Sequence, residues 1–193
     1  MIWFLVASAI AAVPTGADLR ESTNDCDFYV LPQDSETDME PVYVDCHWAE
    51  FTVAQLDTLL NRFGDHDTFF NSVAESTVRR TLDNGKHIVW QRHVAGGISD
   101  REVNLLMWRD TVEGGYVYHW RKAREQGEPS DGNVLALYDT GSWTVTRNPR
   151  GGTHVEYYLH YAPGGRVPGF VVRWFQGAGI EEVVANLRNH AAR

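Results

Sequence analysis

Residues 101–122, REVNLLMWRDTVEGGYVYHWRK, decide how this chain folds. Two runs rich in Val, Leu, Tyr and Trp, Arg101–Val112 and Gly115–Lys122, suit a pleated, half-buried surface. Glu113-Gly114 between them is a hairpin signal, because glycine accepts the positive φ that a tight turn requires. Side chains alternate across a sheet, so Arg101, Val103, Leu105 and Met107 share one face. A two-residue turn adds Tyr116, Tyr118 and Trp120 to that face; a three-residue turn reverses the parity and substitutes Val117 and His119.

Working outward, strands are expected at His87–His93, Asn133–Tyr138, Ser142–Arg147 and His154–Tyr161, with Arg124–Gly132 (REQGEPSDG) as a loop. In the last strand Val155, Tyr157, Leu159 and Tyr161 fall on one face and His154, Glu156 and His160 on the other. Upstream, Val42, Val44, Cys46 and Trp48 alternate as a strand. Thr52 then caps a helix through about Phe63, with Val53, Leu56, Leu59 and Leu60 at helical spacing. A second helical piece is expected over Asp67–Ser76. Pro168 opens a long amphipathic helix over Phe170–Ala191, which Gly177 and Gly179 weaken or bend. A run of antiparallel strands followed by one such helix predicts an α+β helix-grip fold. Its curved sheet wraps the terminal helix and leaves an apolar hollow between them.

The N-terminus carries an apolar run, Ile2–Val13, of about a dozen residues, too short for a span of roughly 20. It fits a secretory leader over residues 1–17, cleaved after Ala17 or near Ala11–Ala12, although no Lys or Arg precedes it; the alternative is a buried first helix. A periplasmic or secreted location follows from the leader reading, and no lipobox cysteine accompanies it. Residues 18–40 are polar and acidic and read as a linker, so the domain is expected over 41–193. The two cysteines, Cys26 and Cys46, either form a disulfide after export or stay unpaired, with Cys46 packed in its strand.

The chain has 193 residues and 43% hydrophobic content, which suits one domain with one core. Its formal charge of -9 disfavours nucleic acid and anionic head groups as partners, so any membrane contact must be apolar and transient. Strand histidines spaced six apart, His87 with His93 and His154 with His160, are expected to be exposed rather than ligating. Asp65-His66-Asp67 reads as a helix-capping turn. No phosphate loop, nucleophile elbow or metal-ligand set appears, and no cofactor is expected.

Several segments together resemble the START family within the polyketide-cyclase-like superfamily. They are Ser99-Asp-Arg-Glu-Val103, Gly141-Ser-Trp143, Thr153-His-Val-Glu-Tyr157, Ala162-Pro-Gly-Gly-Arg-Val-Pro168 and Val184-Ala-Asn-Leu-Arg188. The likeness runs in order over about residues 42–190. It departs at Ala162 and Glu102, where the family usually has Asp. The resemblance implies a monomeric carrier that encloses one hydrophobic ligand, a lipid or sterol-like molecule, under a movable last helix. It also implies that Arg101 lies inside the cavity, the alternative being a surface ion pair with Glu102 or Asp100. An inward Arg101 brings Val103, Leu105 and Met107 with it, and Tyr116, Tyr118 and Trp120 across the two-residue turn. Trp48, Tyr157, Tyr161, Phe170 and Trp174 complete the expected lining. Some superfamily members are aromatases and cyclases, for which Arg101, Tyr118 and His119 are the candidates here. A scaffold with a collapsed cavity is the third reading.

Overall fold

The computed structural model describes residues 13–94, 96–168 and 177–193. Ile2–Ala12, Phe170 and Trp174 therefore lie outside the described residues. The elements are β1 (Asp18–Ser22), β2 (Cys26–Val30), β3 (Val42–Trp48), α1 (Val53–Leu60), a 3-10 turn (Phe63–Thr68), β4 (Val73–Thr81), β5 (His87–His93), β6 (Arg101–Val112), β7 (Gly115–Lys122), β8 (Val134–Leu135), β9 (Tyr138–Arg147), β10 (Thr153–Ala162) and α2 (Ala178–Ala191). Nine strands form one antiparallel path, β1-β2-β3-β10-β9-β7-β6-β5-β4, with β8 alongside β6. The sheet curves around α2, whose Ile180, Val184 and Leu187 are buried, while α1 covers the same face with Leu56 and Leu60. This is the α+β helix-grip arrangement.

Local chemistry sets the boundaries. Thr52 caps α1 through a reciprocal box: its Oγ1 accepts from the Gln55 amide at 3.3 Å, and Gln55 Oε1 accepts from the Thr52 amide at 2.9 Å. The helix ends at Leu60 rather than Phe63. At the hairpin, Val112 pairs with Gly115, so the turn has two residues, and Gly114 takes a φ of 77°. Met107 consequently faces Trp120, and Leu105 faces Lys122.

Four expectations are corrected. The segment read as a linker forms β1 and β2. Every residue of β1 is exposed, so it carries no alternation to read; the turn after it is closed by Thr23, whose Oγ1 accepts from the Cys26 amide at 3.0 Å. β2 pairs with β3 so that Cys26 and Cys46 stand opposite, Cα atoms 4.1 Å apart, joined by a disulfide. The helix expected over Asp67–Ser76 is instead the end of the 3-10 turn and the start of β4. There Ser76 Oγ donates to the Phe63 carbonyl at 2.7 Å and ties the strand to the turn. Asp139–Gly141 is no break: β9 runs through it. His160, expected to be exposed, is buried on the outer face beneath residues 31–41, with Nε2 2.7 Å from Thr37 Oγ1.

Candidate ligand cavity

Leu105 and Met107 on β6, Trp120 on β7, Trp143 on β9, and Tyr157, Leu159 and Tyr161 on β10 form one wall of a cavity. Gly179, Ile180 and Val183 of α2 form the opposite wall, and Phe70, Val73 and Val94 flank them. The volume is about 110 Å³. Space on this scale holds several waters or a small apolar body, below the roughly 300–1,000 Å³ of drug-sized pockets. The floor is aromatic: Trp143 and Tyr157 have ring centroids 4.2 Å apart, Trp120 lies 6.0 Å from Tyr157, and Phe70 stacks on Trp143 at 6.1 Å.

Of the twelve lining residues expected from sequence, Leu105, Met107, Trp120, Tyr157 and Tyr161 line this cavity. Phe170 and Trp174 cannot be placed, for the reason given. Of the other five, Trp48, Tyr116 and Tyr118 lie at the hairpin end of the sheet, where α1 packs, and Arg101 and Val103 lie at the opposite end of β6. Tyr118 Oη donates to Asp57 Oδ1 on α1 at 2.6 Å. Tyr116 is half-buried under the Arg109 guanidinium, 4.4 Å from its ring. Trp48 packs edge-on to Phe51, and Val103 is fully buried without reaching the cavity. Arg101 is buried yet forms neither the cavity contact nor the surface ion pair. Its guanidinium donates to the carbonyls of Ser99, Pro163 (3.2 Å) and Gly164 (3.2 Å), clasping the Pro-Gly-Gly turn.

Polar residues complete the wall where β5 and β10 end and β9 begins: His66, Gln91, His93 and Asp139. The exposed reading of His93 and the capping reading of His66 are thereby corrected; His66 is buried and His93 half-buried in the cavity lining. Alternation from Trp143 back through Gly141 puts Asp139 on the inner face, a signal present in the sequence. Nothing sequential pointed to His66, which reaches the cavity only because the 3-10 turn folds over β5. His66 Nε2 lies 3.3 Å from the Leu60 carbonyl, and Gln91 Nε2 lies 3.4 Å from His66 Nδ1 and 3.0 Å from Ser76 Oγ. Gln91 Oε1 is 2.9 Å from His93 Nε2. The Trp120 indole N–H donates to Asp139 Oδ1 at 2.8 Å, and Asp139 Oδ2 lies 3.9 Å from His93 Nδ1.

Burial governs the charge states. It lowers His66 to about 4, and it lowers His93 to about 4 with a further push from His66 nearby. Burial raises Asp139 to about 7 against the Trp120 hydrogen bond and the Lys122 charge. Both imidazoles are neutral at neutral pH, and burial holds a proton on the carboxyl well above the usual carboxylate range.

No family model and no curated protein matches the sequence. Solved structures match its fold. Human StAR-related lipid transfer protein 5 superposes with a TM-score of 0.82 at 15% identity, covering 92% of this chain and 87% of that one. The chain has the START fold. A STAR-related lipid transfer protein from Xanthomonas axonopodis shares it at TM-score 0.78 and 16% identity, over 92% of this chain and 99% of its own. The di-domain ARO/CYC BexL, from the BE-7585A biosynthetic pathway, is more distant, at TM-score 0.52 and 11% identity over 78% and 48%. The START likeness thus covers 92% of this chain, and it is a likeness of fold.

Proposed function

We propose that the chain binds one apolar ligand, a lipid or sterol-like molecule, beneath α2 and carries it between membranes of the cell envelope. The observation that carries this reading is the unfilled hollow between the concave sheet and α2, walled mainly by Leu105, Met107, Trp120, Trp143, Tyr157 and Ile180. Enclosing apolar surface there stabilises the complex by roughly 25 cal/mol per Å² removed from water. Export to an oxidising periplasmic or extracellular compartment accords with the apolar leader-like run and with the Cys26–Cys46 bond. The net charge of -9 favours short apolar encounters with membranes by a monomer rather than electrostatic attachment.

Native mass spectrometry of protein from its own host, followed by solvent extraction, tests the reading. A stoichiometric apolar molecule is the expected result. Protein that emerges empty and takes up no lipid from vesicles overturns it. One observation favours a second reading, a cyclase-type enzyme: Asp139, raised to about 7, sits in the cavity beside His93 and is poised for proton transfer near neutral pH. Conversion of an added polyketide by empty protein would select that alternative.

A further inference from the structure

Gln91 fixes where the proton sits on His93, and so decides the hydrogen-bonding character of one end of the cavity. The Leu60 carbonyl can only accept, so His66 Nε2 carries its proton and Nδ1 is left as an acceptor. Ser76 Oγ spends its proton on the Phe63 carbonyl and must accept from Gln91. The amide nitrogen of Gln91 therefore points at Ser76 and His66, and its oxygen points at His93. An amide oxygen accepts, so His93 donates from Nε2 and presents a bare Nδ1 to the cavity. On the other side, Asp139 Oδ1 is taken by the Trp120 indole N–H, which leaves Oδ2 as the atom that carries the proton of the neutral acid. A donor and an acceptor thus face each other across 3.9 Å, too far to bond directly.

Resting on the cavity reading above, we infer that the gap between Asp139 Oδ2 and His93 Nδ1 receives a neutral hydroxyl group at the end of an otherwise apolar ligand. An oxygen about 2.8 Å from each atom spans the gap, accepting from the carboxyl and donating to the imidazole. An ether or carbonyl oxygen only accepts and leaves Nδ1 unpaired in an apolar wall, a desolvation cost that a hydroxyl avoids. A carboxylate or phosphate fares worse. None of the described residues that line the cavity is Lys or Arg. Among the described residues, the cations whose charge reaches Asp139 and Tyr161 are engaged on backbone carbonyls: Arg101 on Ser99, Pro163 and Gly164, and Lys122 Nζ on Ala136 and Leu137 at 2.6 and 3.1 Å. The site therefore sorts ligands by charge and by the presence of one hydroxyl, and none of the residues that do this belongs to the sequence motifs of the START resemblance.

The test is equilibrium binding of matched probes to the full chain, followed by tryptophan fluorescence: 1-octanol, its isomer heptyl methyl ether, n-nonane and octanoate. At pH 6, where Asp139 keeps its proton and octanoate is ionised, the alcohol is expected to bind about tenfold more tightly than the ether, as one satisfied buried hydrogen-bonding pair predicts, and octanoate is expected not to compete. His93→Phe should bring the alcohol within about twofold of the ether. Asp139→Asn keeps an acceptor for Trp120 and an N–H donor towards the gap, so it should retain most of the preference. Should His93→Phe not fold, the wild-type alcohol-to-ether ratio alone decides. Equal binding of alcohol and ether, or octanoate binding as tightly as octanol, overturns the hydroxyl site and leaves the apolar carrier standing. Failure of all four probes to bind overturns both.

Discussion

Trp120 on β7 stands directly opposite Gly141 on β9, and its indole lies so close over the glycine that a Cβ there would come within 2.3 Å of Cζ2. The same added atom would meet the Tyr158 carbonyl oxygen at 2.4 Å, so backbone as well as indole resists it. Gly141→Ala must therefore displace Trp120, which lines the cavity and holds Asp139. A loss of about 1–3 kcal/mol in chemical denaturation is expected, with a shift in tryptophan emission. Unchanged stability and emission would mean that the indole has room to move.

The disulfide joins β2 to β3 across a sequence separation of 20. Closing a loop of that length restricts the unfolded chain and stabilises the fold by roughly 3 kcal/mol in the chain-entropy model. The Cys26→Ser, Cys46→Ser double variant is expected to unfold at a lower denaturant midpoint by that amount, as is wild type after complete reduction. Equal midpoints under oxidising and reducing conditions would show that the β1–β2 hairpin holds by its sheet pairing alone.

The cavity residues make stability depend on pH in two opposed ways. Asp139 titrates near 7 in the native state against 3.8 when exposed, so the folded form binds the extra proton between those values. Its contribution is fully present at acid pH and is lost as pH rises through 7. His66 and His93 titrate near 4 against 6.5, so the unfolded chain binds the extra protons; their contribution is present above 6.5 and is lost as pH falls towards 4. The two windows overlap, and with two histidines against one carboxyl the net gain runs up to about pH 6.5, where wild type is expected to be most stable. Asp139→Asn removes only the carboxyl's loss. Its melting temperature relative to wild type should rise between pH 5 and pH 9, by about 1–3 kcal/mol equivalent. Parallel profiles for the two proteins would place a charged, solvated carboxylate at position 139.

Much of this fold was legible in the sequence because its strands alternate cleanly. The hairpin at Glu113-Gly114, the capping role of Thr52 and the inward row of β10 all follow from local chemistry. What escaped reading depends on contacts distant in sequence. β1 is exposed along its whole length and is held by pairing with β2 and not by a buried face. The apolar spacing of Phe69, Phe70 and Val73 imitates a helix, yet these residues serve a turn and a strand start. The cavity wall was half legible: alternation identifies the face, but it does not say that α1 fills one end of that face and leaves the other hollow. His66 and Arg101 illustrate the difficulty from both sides. A surface-looking histidine reaches the cavity, and the expected cavity arginine clasps a turn.

The two ends of α2 are held by different contacts, and on the carrier reading this predicts where the cavity opens. Towards the C-terminus, Leu187 is fully buried and Arg188 reaches Asp25 at 2.9 Å and Glu50 at 2.7 Å. Towards the N-terminus, Gly177 caps the helix without a side-chain hydrogen bond, and Gly179 forms cavity wall. Leu187→Ala is expected to cost about 2–5 kcal/mol, whereas Arg188→Ala, at a half-exposed ion pair, should cost under about 1 kcal/mol and less still in high salt. On the carrier reading, opening is therefore expected at the glycine end. A Gly177→Ala, Gly179→Ala variant should gain up to about 1 kcal/mol in helix propensity at position 179, place a methyl group in the cavity wall, and slow exchange of a fluorescent lipid with vesicles several-fold. Exchange at the wild-type rate, in a variant that is measurably more stable, would move the gate away from these glycines.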